Sequence, residues 1–297
     1  MSGDGTRELI AKAAARDARI TLVDNPSHTA PAALNIGIAR ARGSIIMRMD
    51  AHCEYPPEYI PALVSALENE HADNVGGITQ VLAAADTAVA RAIAIALSHP
   101  AGVGNSYFRI GARKPMWVDT VPFGCWHRET FERIGLFDES LPRNQDDEFN
   151  MRLVRAGGRI LLLPNVVIRY YARETLGQLW RMFSLYGYYK PLSVKRSGAR
   201  PRPRQFAPAA LVIAATAGAL LAPVTIVPLG VVLGAYGLFV LGASLPIAVR
   251  QGPAVALAFA AALPTMHIAY GLGFLRGALQ FAILNRAPAA AAPKLSR

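Results

Sequence analysis

Two long stretches without a charged side chain occupy most of the last third of this 297-residue chain. No Asp, Glu, Lys or Arg occurs between Arg204 and Arg250, and the next charged residue after Arg250 is Arg276. A helix crosses a bilayer with about 20 apolar residues, so the first stretch is long enough for two spans and the second for one more. The sequence therefore predicts a transmembrane region of two to three spans over 206–285.

The side of the membrane that the C-terminus reaches stays open. Three spans from a cytoplasmic N-terminus would place Arg276 and Arg286 outside, against the tendency of basic residues to remain on the cytoplasmic side. A re-entrant third segment would keep both arginines inside. A fourth span over 277–284 would do the same, although it has fewer residues than a bilayer requires.

A basic segment directly precedes the first apolar stretch. From 190 to 204 it contains no acid, and its basic residues are Lys190, Lys195, Arg196, Arg200, Arg202 and Arg204. The net charge of +11 alone is compatible with nucleic acid, a membrane surface or an anionic substrate. A basic run beside an apolar stretch is typical of a cytoplasmic membrane face, and the sequence lacks regularly spaced base-stacking aromatics. We expect a multi-pass inner-membrane protein and no nucleic-acid partner, with a juxtamembrane linker over 191–205 and a disordered tail over 286–297.

The first 190 residues alternate short apolar strands with helical patterns. Strands are predicted at 20–23 and 44–49, and helices over 6–16, 57–69 and 146–156. Such alternation predicts an α/β domain with a mostly parallel sheet, in which ligands bind beyond the carboxyl ends of the strands.

Two potential metal ligands follow the second predicted strand. Asp50 and His52 stand at i and i+2, a spacing that lets both approach one ion or a diphosphate. Oxygen and imidazole donors suit Mn²⁺ or Mg²⁺. A loop cap or a surface pair is the simpler interpretation of an isolated Asp-x-His, but the position at a strand end favours a binding site.

An acidic cluster lies at a predicted helix start, in the sequence Asn144-Gln145-Asp146-Asp147-Glu148. Carboxylates there are favoured by the helix dipole and commonly serve as caps. Alternatively, one of them acts as a general base toward an acceptor hydroxyl. Asp146 and Asp147 differ by about 100° around a helix, so only one is expected to face a reaction centre.

A helix with several aromatic residues is predicted around Arg181. It is compatible with an amphipathic helix at the membrane surface, with its aromatic rings at headgroup level. A second interpretation makes Arg181 a partner for phosphate oxygens, and both can hold together.

Four separated segments carry a family resemblance. They are, in order, SGDGTRELI, ALNIGIARARGSIIMRMDAHCEYPPEYI, VDTVPFGCWHRETFERIGLFDESLPRNQDDEFNMRLVRAGGRI and LWRMFSLYGYYK. Together they closely resemble family 2 glycosyltransferases of the succinoglycan-type exopolysaccharide group. The resemblance covers roughly Ser2 to Lys190 and continues into the apolar segments. It implies a GT-A-type, Rossmann-like catalytic domain over 1–190, on the cytoplasmic side, that holds a nucleotide-sugar, commonly a UDP-sugar, with Mn²⁺ or Mg²⁺.

The resemblance also assigns roles to individual residues. Asp50 and His52 match the Asp-x-Asp-like metal and diphosphate motif. Asp146 matches the aspartate of the family's Glu-Asp pair and would be the catalytic base, whereas Gln145 replaces the usual Glu. The remaining assignments are Asp4, Asn35 and Asp50 on the donor side, and Phe123, Gly124, Gln145 and Arg181 on the acceptor side. Arg181 lies near the family's Gln/Arg-x-x-Arg-Trp region, from which Met182 and Phe183 depart.

The activity implied is a single inverting displacement at the anomeric carbon. Asp146 would deprotonate an acceptor hydroxyl of a lipid-linked or polysaccharide acceptor, while the metal neutralises the leaving diphosphate. The alternative is a catalytically inactive membrane protein that serves as a scaffold. A metal-dependent phosphohydrolase would need more clustered Asp and His ligands than the sequence offers.

The start of the chain departs from the family. Members begin with an apolar strand and an acidic-polar turn that bind the nucleobase and ribose, and then reach a sequence like Asp-Gly-x-Ser-x-Asp-Gly-Thr. This chain begins at Met1, inside that last motif. We hypothesise that Met1 is an internal methionine and that the domain is N-terminally truncated, without its first strands. An in-frame stop immediately upstream of the Met1 codon, with no coding for an apolar strand, would contradict this.

Overall fold

A computed structural model describes residues 4–200 and 202–288, so the predictions for Met1 to Gly3 and for the tail beyond 288 lie outside the described residues. The strands are β1 (Ile45–Met47), β2 (Cys53–Glu54), β3 (Asn74–Leu82), β4 (Met116–Val118), β5 (Cys125–His127) and β6 (Ile160–Tyr171). The helices are α1 (Thr6–Arg16), α2 (Ala30–Arg40), α3 (Tyr59–Asn69), α4 (Ala88–Ala96), α5 (Pro100–Val103), α6 (Tyr107–Ile110), α7 (Arg128–Ile134), α8 (Gln145–Arg155), α9 (Leu176–Ser197), α10 (Ala207–Leu221), α11 (Val227–Gln251) and α12 (Pro253–Gly277). A 3-10 turn at Pro203–Gln205 precedes α10, and a π-helical segment, Ala278–Ile283, continues α12.

The strands form one six-stranded sheet in the order β1-β5-β3-β6-β2, with β4 also paired to β6. Among the described strands, β3 and β6 are the only pair that runs in parallel, and the other four pairings are antiparallel. The prediction of a mostly parallel sheet is therefore wrong. The alternation of strands and helices on which that prediction rests does produce three strands, β1, β3 and β6, that run in one direction. The short strands β2, β4 and β5 run against them.

The predicted helices are present within one to two residues of their expected bounds. The helix expected over 57–69 is α3, and the helix expected over 146–156 is α8. The predicted strand at 20–23 is absent from the described sheet, because those residues pair with no described strand. Ile20 is 39% accessible, and Leu22 and Val23 are half-buried.

The α/β unit has two buried clusters on the two faces of its sheet. One joins α3 to the sheet through Tyr59, Leu63 and Leu67, which are almost fully buried. The other surrounds Trp126 and Phe149, whose rings meet edge to face at 5.8 Å. This packing fixes the loop after β1 and the start of α8, where the two sequence motifs lie.

The apolar region consists of long helices with exposed apolar faces. Two described segments, Val227–Gln251 and Pro253–Ile283, are long and apolar enough to cross a membrane, by length and composition alone. The apolar helix Ala207–Leu221 is shorter. Large side chains such as Val224 and Val249 are 88% accessible, which fits an apolar surrounding better than water. The placement in a membrane remains a prediction.

Helix α9 joins the α/β unit to the apolar helices. It packs along α12 over much of its length and also contacts α8. The predicted boundary at 190 falls inside α9. Close approach is possible because glycines stand at the crossing, and a Cβ on Gly273 would lie 2.3 Å from the carbonyl oxygen of Ser184. The helix that follows the sheet is thereby attached directly to an apolar helix.

Candidate active site

A cavity of about 730 Å³ lies between the sheet and the apolar helices. Its wall is built from the loop after β1, the turn before β5, the start of α8, one face of α9, and α10 to α12. The predicted site residues that line it are Asp50, His52, Phe123, Gln145 and Asp146. The fold therefore brings both sequence motifs, almost 100 residues apart, to one cavity.

The loop after β1 is held by an internal ion pair. Arg48 donates from Nε and Nη2 to the two carboxylate oxygens of Asp50, at 2.7 and 2.8 Å. Tyr55 fixes the same loop, because its hydroxyl oxygen accepts from the backbone N–H of Asp50 at 2.6 Å. Burial disfavours the charged guanidinium, but Asp50 beside it, with Asp146 contributing, raises the pKa of Arg48. Both carboxylates thus act on one arginine.

His52 stands next to Asp50 at the mouth of this loop. Its ring is exposed and contacts Tyr170 edge to face at 5.6 Å. Within residues 4–200 and 202–288, no group of three His, Cys, Asp or Glu side chains comes together to hold a metal. One carboxylate and one imidazole fit a cation that takes its remaining ligands from a diphosphate and water, as Mg²⁺ commonly does.

The start of α8 presents two carboxylates that differ in their partners. Asp146 and Asp147 both line the cavity, and the expectation that only one of them faces a reaction centre stays a prediction. Asp147 pairs with Lys190 on α9. Burial disfavours the Lys190 cation, but Asp147, with contributions from Tyr270 and Asp146, outweighs that effect and raises the pKa of Lys190. Asp146 forms no ion pair among the described residues, and one of its oxygens accepts from the backbone N–H of Asp147 at 2.9 Å.

The geometry of this helix start depends on Asn144. Its backbone is left-handed, with φ of +62°, and its side-chain amide donates to the carbonyl oxygen of Tyr186 at 2.9 Å. Asn tolerates this conformation better than most residues. The contact fixes the carboxylates of α8 relative to α9.

The turn before β5 combines two residues with positive φ. Phe123 has φ of +61° and Gly124 has φ of +108°. A Cβ on Gly124 would lie 2.2 Å from the ring of Trp126, so only glycine fits there. The strained turn aims the Phe123 ring at Arg48, whose guanidinium carbon is 5.7 Å from the ring centroid. Phe123 lines the cavity and Gly124 supports the turn behind it.

Besides Gly124, three predicted site residues do not line the cavity. Asp4 is exposed and accepts hydrogen bonds from Thr6. The side chain of Asn35 is buried and bonded to both backbone groups of Phe137, so it holds α2 against the loop after α7. Arg181 is exposed, outside the lining of the cavity.

Six cationic side chains line the cavity against three carboxylates. They are Arg48, Arg109, Arg143, Arg173, Lys190 and Arg204. Arg204 and its neighbour Arg202 both pair with Asp119 in the loop after β4, which attaches the basic segment to the α/β unit. The excess of positive charge suits an anionic ligand. The sequence places Lys190 and Arg204 in the basic segment before the apolar stretch and predicts no role for the other four.

Comparison with known proteins gives one family and two curated relatives. The profile described as glycosyl transferase family 2 matches residues 1–133. The succinoglycan biosynthesis protein ExoA of Rhizobium meliloti (strain 1021) is 34% identical over 286 residues, covering 94% of this chain and 84% of that protein. A dolichyl N-acetyl-alpha-D-glucosaminyl phosphate 3-beta-D-2,3-diacetamido-2,3-dideoxy-beta-D-glucuronosyltransferase of Methanococcus voltae is 25% identical over 170 residues, which are 55% of this chain and 52% of the relative.

Solved structures with a similar chain path include GalNAc-T7, crystallised with UDP, GalNAc and Mn²⁺. The superposition has a TM-score of 0.43 and 14% sequence identity, and it covers 67% of this chain and 47% of GalNAc-T7.

Proposed function

Because the chain belongs to glycosyltransferase family 2, we propose that it transfers a sugar from a nucleotide-sugar, a UDP-sugar, to a lipid-linked or polysaccharide acceptor with inversion at the anomeric carbon. Membership confirms the predicted resemblance and the GT-A fold class, with a mixed sheet. The observation that carries the proposal is the single cavity that holds Asp50, His52 and Asp146.

Asp146 is the proposed catalytic base. Of the two cavity carboxylates on α8, Asp147 is engaged by Lys190, whereas Asp146 has no cationic partner among the described residues. A carboxylate without such a partner has an oxygen available to accept the proton of an acceptor hydroxyl. Gln145 is the neighbouring neutral side chain, 7% exposed, and it lies on the proposed acceptor side with Phe123.

The proposed donor end is the Asp50 loop. Asp50 and His52 would hold Mn²⁺ or Mg²⁺, which when bound neutralises charge on the leaving diphosphate. Arg48 keeps Asp50 in one orientation through its two hydrogen bonds, and Tyr55 fixes the backbone beneath it. These contacts support a role of the Asp50 loop in orienting the donor.

The proposed setting is exopolysaccharide synthesis at the cytoplasmic face of the inner membrane. The 34% identical relative is a succinoglycan biosynthesis protein, which supports that class of product. The two long apolar helices and the basic segment before them support a multi-pass membrane protein with a cytoplasmic catalytic domain. The cavity extends to these helices, as a lipid-linked acceptor requires.

Titration of the purified full chain with UDP tests the donor end. In Mn²⁺ we expect saturable binding, and Asp50→Asn is expected to weaken it about tenfold, because one metal and diphosphate ligand loses its charge. Chelation of the metal should lower the affinity of the wild type toward that of the variant. Asp86→Asn is the matched control, because Asp86 is an exposed carboxylate outside the cavity.

Two results would contradict the proposed donor site. The absence of UDP binding to the wild type would favour the inactive scaffold. Equal affinity of Asp50→Asn and the wild type would remove Asp50 and the metal from the donor site.

A further inference from the structure

Three side chains in the cavity wall have a shielded polar atom without a hydrogen-bond partner in the described parts of the chain: Arg48 and Arg109, each through Nη1, and Thr79, through Oγ1. Arg48 is already bound to Asp50 through its other two nitrogens, which leaves Arg109 and Thr79. Thr79 is 5% exposed, so water reaches it poorly. A buried donor that bonds to nothing is destabilising, and an anionic ligand in the cavity would supply both atoms with an acceptor.

These two side chains belong to elements that pack together. Thr79 is on β3 and Arg109 is on α6, which lies against β3. In the parallel ladder Thr79 pairs with Ile168 and Val81 pairs with Tyr170, so Thr79 and Tyr170 share one face of the sheet. Arg109 acts electrostatically on Tyr170. Arg109, Thr79 and Tyr170 therefore border one region of the cavity.

Arg109 has its charge available for a ligand. It takes part in no ion pair among residues 4–200 and 202–288, whereas Arg48, Lys190 and Arg204 each pair with a carboxylate. Its guanidinium stacks on Phe108 with its central carbon 5.3 Å from the ring centroid, which limits its orientation. A planar guanidinium fixed in this way is suited to phosphate oxygens.

The same end of the cavity continues into apolar helices. His267 on α12 bonds through Nε2 to the carbonyl oxygen of Ala101 on α5, at 2.9 Å. A carbonyl only accepts, so Nε2 carries the proton and Nδ1 accepts from the hydroxyl of Tyr236, at 2.8 Å. This chain of hydrogen bonds holds the α5 segment, just before Arg109, against α11 and α12. The wall beyond it includes Leu211, Phe239 and Met266.

We propose that Arg109 and Thr79 bind the phosphate of a long-chain lipid phosphate, the carrier of the acceptor, whose hydrocarbon chain lies along α10 to α12. The inference rests on the proposed function and names the acceptor class for the same cavity. The donor diphosphate is assigned to the neighbouring Asp50 loop, where Arg48 is already bound by a carboxylate and His52 contacts the ring of Tyr170. A lipid phosphate beside Arg109 would have the apolar side chains of α10 to α12 in the same cavity for its hydrocarbon chain.

The test uses the full chain with farnesyl phosphate and with farnesol, which lacks the phosphate. We expect Arg109→Gln to weaken farnesyl phosphate binding about tenfold or more, from the loss of a charged hydrogen bond. Its affinities for farnesol and for UDP should stay within about twofold. Arg113→Gln is the control, because Arg113 is exposed four residues away and does not line the cavity.

Thr79→Val separates binding from folding. Valine has the shape of threonine and removes a hydroxyl that bonds to nothing, so thermal stability should be unchanged or raised. Farnesyl phosphate binding should nevertheless fall. If Thr79→Val destabilises the protein, the Thr79 hydroxyl has a structural partner, and its proposed role in binding the lipid phosphate is overturned.

The outcomes distinguish this inference from the proposed function. If the wild type binds UDP but Arg109→Gln binds farnesyl phosphate as well as the wild type does, the lipid-phosphate site is overturned and the donor site stands. If Arg109→Gln weakens UDP as strongly as farnesyl phosphate, Arg109 belongs to the donor diphosphate. If the wild type binds farnesyl phosphate and not UDP, the proposed function fails and the lipid site is retained.

Discussion

Asp146→Asn is expected to lower kcat for sugar transfer by ~10²–10⁴-fold, the usual contribution of a general base. Asparagine has the size of aspartate, and its side-chain oxygen can still accept the hydrogen bond from the backbone N–H of Asp147, so the start of α8 is preserved. It removes the site that accepts the proton. The measurement is the initial rate of transfer from a UDP-sugar at saturating donor and acceptor, with UDP affinity determined on the same protein.

The neighbouring carboxylate provides the comparison. Asp147→Asn leaves Lys190 buried without its ion-pair partner, so its main effect should be a lower thermal unfolding midpoint. Asp146→Asn should unfold within a few degrees of the wild type, because it breaks no ion pair in the described structure. Full activity of Asp146→Asn would exclude Asp146 as the base. If the Asp146→Asn protein is unfolded to the same extent as its activity is lost, the loss of activity would no longer support Asp146 as the base.

Gly273→Ala is expected to destabilise the protein by roughly 1–3 kcal/mol, because the added methyl overpacks the contact between α9 and α12. Its Cβ would lie 2.3 Å from the carbonyl oxygen of Ser184 and 3.0 Å from the backbone nitrogen of Tyr188. Both are backbone atoms, so the helices must separate. Since α9 carries Phe183 and Lys190 in the cavity wall, transfer activity should fall with the unfolding midpoint.

Gly242→Ala is the matched control in α11. A Cβ at Gly242 meets nothing within 4 Å, and alanine is favoured over glycine in a helix by about 1 kcal/mol. The two substitutions should therefore shift the thermal midpoint in opposite directions. Equal shifts would show that α9 and α12 do not approach each other as closely as described here.

Local pattern was sufficient to find both motifs of the site. Asp50 follows an apolar strand and Asp146 begins a helix with a clear period, and each of these features lies within a few residues of sequence. Strand β1 is also predicted, as the apolar run over 44–49. Strand β3 is not predicted, because Gly76 and Gly77 interrupt its apolar pattern. Strands β2, β4 and β5 have only two or three residues, which are too few to show an alternating pattern.

The cations of the cavity could not be assigned from sequence, because they come from distant segments. Arg48, Arg109 and Arg173 come to the same cavity only after β1, β3 and β6 have joined one sheet and α6 has packed on it. For α9, residue spacing indicates which cation can face the cavity. Arg181 and Lys190 are nine residues apart, so they lie about 180° apart on a helix, and only one can face the cavity. Lys190 does so.

The anomeric configuration of the transferred sugar shows whether this chain is an inverting glycosyltransferase. The full chain in lipid nanodiscs would be incubated with Mn²⁺, a set of UDP-sugars and a lipid-linked saccharide, and the linkage formed would be determined by NMR. We expect transfer to the lipid fraction with a configuration opposite to that of the donor, and loss of the product in Asp146→Asn. Retention of configuration, or UDP binding without transfer from any sugar, would contradict this expectation.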